Sequence, residues 1–317
     1  MFGKKDIPVY LFSGFLESGK STCIQEVIEE GNFSDGKKTL LILCEEGEHE
    51  IDEQMLVNNL ISCVVIEDEE ELTEKQCLAL EKKYKPDRIC IEYNGMWDGE
   101  KLVNEIIPAH WYVVQTFVTV NAQTYEMYNN NMKPILIGHY KQADLVIFNR
   151  CPMEGMDKAA ARRSVKAVNR MAQVIFELED GTVDNDIKDE LPYDVDQDII
   201  TLEDDDYGLW YLDASENPER YKGKVIIHKG KVYKGKRFPS NAFVPTREAM
   251  TCCVDDIAPI GFVCYYADAP KLKQDSWVTV KGKVKVEHNP QGQPYIAMDI
   301  LDVQPAEEPE EKIVYFT

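Results

Sequence analysis

The apolar positions of this 317-residue chain fall into two rhythms. In the first, short apolar or β-branched runs at 9–12, 39–44, 62–66, 88–91, 113–120, 145–148 and 174–178 alternate with stretches of helical spacing at 21–30, 69–84, 99–107 and 156–171. Strand runs that are apolar on both sides, spaced by helices, predict a mostly parallel α/β sheet covered on both faces. Ligands of such sheets sit beyond the carboxyl ends of the strands. After Pro192 the rhythm shortens. Runs at 199–202, 209–212, 224–228, 231–233, 260–266, 277–286 and 295–303 are divided by turn residues, including His228-Lys229-Gly230-Lys231 and Asn289-Pro290-Gln291-Gly292. That pattern predicts a small all-β unit, a partly closed barrel of the oligonucleotide/oligosaccharide-binding type. The expected domains are 1–178, an acidic linker at 179–198, and 199–317.

Charge sharpens the division. The net charge is −22, and residues 177–219 hold 17 acids against one base, Lys188, whereas 220–304 carry a net +6. A solvated connector explains this; a connector that masks the basic unit is the alternative. The cluster Lys222, Lys224, Lys229, Lys231, Lys234, Lys236 and Arg237 makes polyanion binding conceivable, but a net +6 is modest and nucleic acid is not the expected partner. No run approaches about 18 apolar residues, and the amino terminus leads straight into the first strand, so neither a membrane span nor a signal peptide is expected. A cytoplasmic protein follows. Nine scattered cysteines with no C-x-x-C pair suit reduced thiols, not a disulfide framework or zinc ribbon.

The first strand run leads into Gly14-Phe15-Leu16-Glu17-Ser18-Gly19-Lys20-Ser21, a complete G-x-x-x-x-G-K-[ST] element followed by a helical pattern. Glycines let successive N–H groups face a phosphate, Lys20 neutralises β/γ charge, and the Ser21 hydroxyl reaches Mg²⁺. The expected triphosphate ligands are Gly14, Glu17, Ser18, Gly19, Lys20, Ser21 and Thr22. Glu92, ending the run at 88–91, can hold a Mg²⁺-bound water or orient the attacking one; a surface carboxylate is the alternative.

These residues resemble the CobW-type metallochaperone GTPases. Ile7-Pro8-Val9 through Thr22 is similar to I-P-V-x-x-x-x-G-F-L-G-[AS]-G-K-T-T, and Cys44-Glu45-Glu46-Gly47-Glu48-His49-Glu50-Ile51-Asp52 to the switch segment N-E-x-G-E-x-x-I-D. Ile91-Glu92-Tyr93-Asn94-Gly95 resembles I-E-x-[ST]-G, and Ala143 to Arg150 resembles A-D-x-x-x-x-N-K. The resemblance implies a GTPase in which Asn149 and Arg150 lead the base-recognition motif, Ser21 and Glu92 organise Mg²⁺, and Glu45 or Glu48 senses the γ-phosphate. Two departures matter. The N-K-x-D aspartate is replaced by Pro152, which cannot accept from a guanine edge, and the C-x-C-C motif is reduced to Cys63.

Glu45, Glu48, His49 and Cys63 form a candidate mixed-donor set for a transition metal, with solvated charge as the alternative. The carboxyl-terminal part resembles the YcgQ-like domain in Tyr221-Lys222-Gly223-Lys224, in Arg247 followed by Cys252-Cys253-Val254-Asp255-Asp256, and in Trp277-Val278-Thr279-Val280-Lys281-Gly282. Such domains accompany predicted permeases, which implies a role in metal, foremost zinc, homeostasis. Cys252 and Cys253 with Asp256 are a candidate zinc set. Neighbours on a strand face opposite ways, so a turn must bring the thiols together, with Asp256 or Cys264 as a third ligand; packing in a barrel core is the alternative. His110, His139, His228 and His288 stand alone and are not expected ligands.

The reading is a slow P-loop NTPase using Mg²⁺ and GTP or ATP, coupled to zinc delivery to a metalloprotein client or permease. The alternative is a nucleotide-gated binding module with negligible turnover that holds a permease or polyanion through its basic β unit.

Overall fold

The computed structural model describes residues 6–30, 33, 35–45, 51–184, 187 and 190–316. The chain forms two compact units, Met1–Lys158 with Val168–Ile187, and Ala159–Ala167 with Lys188–Thr317.

In the first unit the chain runs β1 (Ile7–Ser13), α1 (Lys20–Glu30), β2 (Thr39–Leu43), α2 (Glu53–Asn58), β3 (Ile61–Val65), α3 (Glu74–Tyr84) and β4 (Arg88–Glu92). It continues through α4 (Gly99–Lys101), prolonged by a π-turn at Leu102–Ile106, then β5 (Trp111–Asn121), α5 (Ala122–Asn131), α6 (Lys133–Lys141) and β6 (Leu145–Cys151). After α7 (Lys158–Lys166), which falls mainly in the second unit, come β7 (Gln173–Leu178) and β8 (Val183–Asp184). The sheet order is β3-β2-β4-β1-β5-β6-β7-β8, and every pairing is parallel except β7 with β8.

β1 lies between β4 and β5, with β2 and β3 on one side of it and β6 and β7 on the other, so the crossover from β1 to β2 and that from β4 to β5 run to opposite sides, the switch point at which such sheets form a crevice beyond the carboxyl ends of their strands. The full burial of Leu40, Leu41 and Ile42 shows why the run at 39–44 is apolar without alternation: both faces are covered. Leu40 and Ile42 pack with Val9, Leu11, Ile89 and Ile91, while Leu41 turns to Phe12, Ile24, Cys90 and Phe117. α1 thus anchors through Ile24 and Ile28 under the loop that precedes it. Three helices were not foreseen, α2, α5 and α6. α5 presents no buried residue and so carries a weak apolar signal.

The second unit holds β9 (Ile199–Thr201), α8 (Tyr207–Glu216), α9 (Pro218–Tyr221), β10 (Val225–Tyr233), β11 (Ala242–Ala249), β12 (Ala258–Ile260), β13 (Val263–Tyr265), β14 (Trp277–His288), β15 (Pro294–Pro305) and β16 (Ile313–Val314). Pairings β10–β11, β11–β13, β13–β15, β15–β14 and β14–β10 close a five-stranded barrel, with β13–β15 its one parallel pair. The expected barrel is therefore present. Two local readings are corrected. Residues 209–212 are helical, because Tyr207, Trp210 and Ala214 recur at helical spacing and are buried. His228-Lys229-Gly230-Lys231 is not a turn but mid-β10: Ile226, His228, Gly230 and Val232 face inward, and a Cβ on Gly230 would stand 2.6 Å from the Pro245 carbonyl carbon, so β10 and β11 touch there. No helix among the described residues is long and apolar enough to cross a membrane.

Candidate nucleotide site

The loop from Gly14 to Gly19 joins the buried end of β1 to α1, and its backbone is held from three sides. Asn149 Nδ2 donates to the Ser18 carbonyl at 2.7 Å, Arg150 Nη1 to the Glu17 carbonyl at 3.0 Å, and Ser18 Oγ meets Thr119 Oγ1 at 2.8 Å. Gly19 has φ +96°, and a Cβ there would fall 2.5 Å from Asn149 Nδ2, so both backbone conformation and space demand glycine. Glu17 is also left-handed, at φ 60°, where the family signature has glycine.

Lys20 is not solvent-facing. It is 3% exposed, donates to the Gly14 and Phe15 carbonyls at 2.9 Å each, and is ion-paired to Glu45. Ser21 Oγ donates to Glu92 Oε1 at 3.1 Å and Oε2 at 3.2 Å. Burial pushes the Glu92 carboxyl above the usual range, the Lys20 charge and the Ser21 hydrogen bond opposing it. A hydroxyl and a buried carboxylate placed together at the first turn of α1 suit a hard divalent cation such as Mg²⁺. Below the loop His139 joins Ser13 Oγ through Nδ1 at 2.8 Å and packs edge-on against Phe15. Burial, then the Lys20 charge, lowers its pKa to about 4, so it is a neutral support.

On the other side of the loop a cleft is bounded by Gly19, Thr22, Glu26, Asn149, Arg150 and Glu177. The structure thus brings together the P-loop, Glu45, Glu92, Asn149 and Arg150. Thr119, Glu26 and Glu177 belong to no motif; only their places, near the ends of β5 and β7 and two turns into α1, could have pointed to them.

The candidate metal residues separate. Glu48 and His49 lie outside the described residues. Cys63 is exposed on β3, and among the described residues no group of three ligand types includes it or Glu45. Cys252, Cys253 and Asp256 do form such a group. Partial burial, then Asp256 and Cys253, push the Cys252 thiol up to about 12. Asp256 is held at about 2, desolvation being outweighed by hydrogen bonds from Cys252 and Thr251. Cys264 lies in the barrel core and is no part of the group.

No curated protein gives a significant match. Among solved structures, hydrogenase maturation factor HypB from Archaeoglobus fulgidus matches with 18% identity and TM-score 0.39 over 54% of this chain and 80% of that one. FlhF complexed with GMPPNP and Mg²⁺ matches with 12% identity and TM-score 0.34 over 58% and 72%. Rim1, a mitochondrial single-stranded DNA binding protein from S. cerevisiae, matches with 7% identity and TM-score 0.19 over 26% and 95%. The DUF1980 C-terminal domain profile matches residues 178–316, giving the two-part organisation that the resemblances imply. The CobW/HypB/UreG nucleotide-binding domain profile matches residues 8–176, more than half of the chain, and this protein belongs to that family.

Proposed function

We propose that the first unit binds a nucleoside triphosphate with Mg²⁺ and hydrolyses its β–γ bond slowly, and that this cycle drives metal delivery, with zinc the foremost candidate. The observation that carries the reading is the joint placement of Lys20, Glu45, Ser21 and Glu92 at the start of α1. Backbone N–H groups at that helix start would face the phosphates, and the dipole would favour their charge. Lys20 would leave the Gly14 and Phe15 carbonyls for the β- and γ-phosphates. Ser21 and Glu92 would hold Mg²⁺, which when bound neutralises charge developing on the phosphate oxygens. Glu45 would lose its ion pair as Lys20 turns to phosphate, and so reports the triphosphate to the segment that follows. Arg150, the arginine that touches the loop, is occupied with Glu17 on the base side, which fits slow intrinsic turnover. A cytoplasmic location, where nucleoside triphosphates are abundant, completes the proposal.

The alternative, a polyanion-holding module, loses support from the second unit's own contacts. Lys222 and Lys229 are ion-paired to Glu219 and Asp204, and Lys224 and Lys234 donate to backbone carbonyls. Steady-state phosphate release from GTP and ATP, with and without Zn²⁺, tests the proposal. Slow release that rises with Zn²⁺ and falls at least tenfold in Glu92→Gln, with nucleotide still bound, is expected. Binding without release under any condition would overturn hydrolysis and leave the non-turnover module.

A further inference from the structure

The turn between β11 and β12 is assigned no role by the nucleotide cycle. On an extended strand Cys252 and Cys253 would diverge. Here β11 ends at Ala249 and a 3-10 turn at Val254–Asp256 follows, so the two sulfurs converge: Cys252 Sγ lies 3.4 Å from Cys253 Sγ. A carboxylate oxygen of Asp256 and both sulfurs lie within 4.8 Å of one another. Neither thiol is in the barrel core; both are half-buried, beside a Val254 that is 76% exposed.

Asp256 organises this turn. Its Oδ2 accepts from Cys252 N at 2.6 Å, Thr251 Oγ1 at 2.9 Å and Cys253 N at 3.3 Å, and its Oδ1 from Thr251 N at 3.0 Å. In return the Asp256 N–H donates to the Cys253 sulfur. Five contacts therefore fix two adjacent sulfurs on one side of an accessible turn. Packing alone gives no reason for that arrangement.

We propose that residues 251–256 form a site for a thiophilic divalent ion of the zinc type, with Cys252 and Cys253 as ligands, Asp256 completing the protein's share, and one position open to an outside donor. Two sulfurs bound at about 2.3 Å to a tetrahedral zinc stand about 3.8 Å apart, so the pair needs to open by only a few tenths of an ångström. Both cysteines are free thiols in this structure. Each thiol loses its proton to solvent as its bond to the ion forms. Structural zinc sites close their shell with four protein ligands; three leave one position open to an outside donor, which suits a site that accepts an ion and passes it on. The site does not rest on the nucleotide reading, and its test uses no nucleotide.

The full chain, reduced and freed of metal, is titrated with Co²⁺ as a spectroscopic probe and then with Zn²⁺ against a chromophoric chelator. The expected result is one equivalent of Co²⁺ with thiolate-to-cobalt charge-transfer absorption, displaced by Zn²⁺. Cys252→Ser and Cys253→Ser should each halve that band and weaken Zn²⁺ at least about tenfold, and Val254→Ala should leave both unchanged. Wild-type cobalt protein without a thiolate band would overturn the proposal whatever the variants do. So would a Cys252→Ser/Cys253→Ser chain that binds Zn²⁺ like the parent.

Discussion

Lys20 and Glu45 form an ion pair that is almost wholly closed to solvent, with side-chain exposures of 2% and 9%. The cation proposed to meet phosphate is thus already satisfied by a carboxylate and two carbonyls, and under that proposal a triphosphate must displace the carboxylate. Removing the competitor should strengthen nucleotide binding. Glu45→Gln is expected to gain about fivefold in affinity, close to 1 kcal/mol, while losing turnover. Weaker binding in calorimetry would show that Glu45 holds the nucleotide instead of competing with it.

Base choice is expected to depend on Pro152. It offers no side-chain acceptor to the guanine edge, so wild-type GTP and ATP affinities should differ by far less than about a thousandfold. Pro152→Asp restores an acceptor and should raise the GTP-to-ATP ratio at least tenfold. A competition titration in which the wild type already exceeds about a thousandfold, some 4 kcal/mol, would contradict this.

The acid limb of phosphate release should follow Glu92. Its carboxyl is raised by burial above the ordinary 4.5, and only the ionised form can hold a cation, so activity should fall at a higher pH than an unperturbed glutamate would give. The same shift means that the folded state keeps a proton the unfolded chain releases. Stability should therefore fall as pH rises from 4.5 through the raised value, and Glu92→Gln should abolish that slope in urea melts.

His139 and His228 act in the opposite sense. Burial lowers both to about 4, from 6.5, so each stays neutral when folded and takes a proton when unfolded. Their stabilising term is complete above pH 6.5 and lost as pH falls towards 4, roughly 3 kcal/mol for each group and each in its own unit. Denaturation midpoints at pH 7 and pH 4.5 should converge for the first unit in His139→Gln and for the second in His228→Gln. Unchanged acid sensitivity in either variant would refute its part.

Where one residue type answers one physical need, the sequence was readable. The P-loop was, because phosphate cradling needs glycine, lysine and a hydroxyl at fixed spacing, and so was the place of Glu92 at the end of β4, because a carboxylate after an apolar run marks a strand end. The barrel was visible in its short strands, but β10 was broken in two because Gly230 signals a turn unless a neighbouring strand needs its space. Arg247 and Pro245 hid β11; Arg247 is buried, its Nη1 donating to Asp204 and its Nη2 to the Glu311 carbonyl while Nε is left without a partner among the described residues, a long-range pairing that no local pattern announces. For the same reason Thr119 and Glu177 escaped notice. The Lys20–Glu45 pair is equally invisible in the sequence, since both residues also suit phosphate-facing roles.

Triphosphate is expected to bind this loop through Lys20. Lys20→Ala alone would strand the Glu45 carboxylate, so the clean comparison is Glu45→Gln against Lys20→Ala/Glu45→Gln, titrated calorimetrically with a non-hydrolysable GTP analogue and Mg²⁺. One equivalent should bind to Glu45→Gln, and the double variant, with unchanged circular dichroism, should bind at least about a hundredfold more weakly, a loss of some 2.7 kcal/mol. Equal affinities in the two proteins would contradict the account.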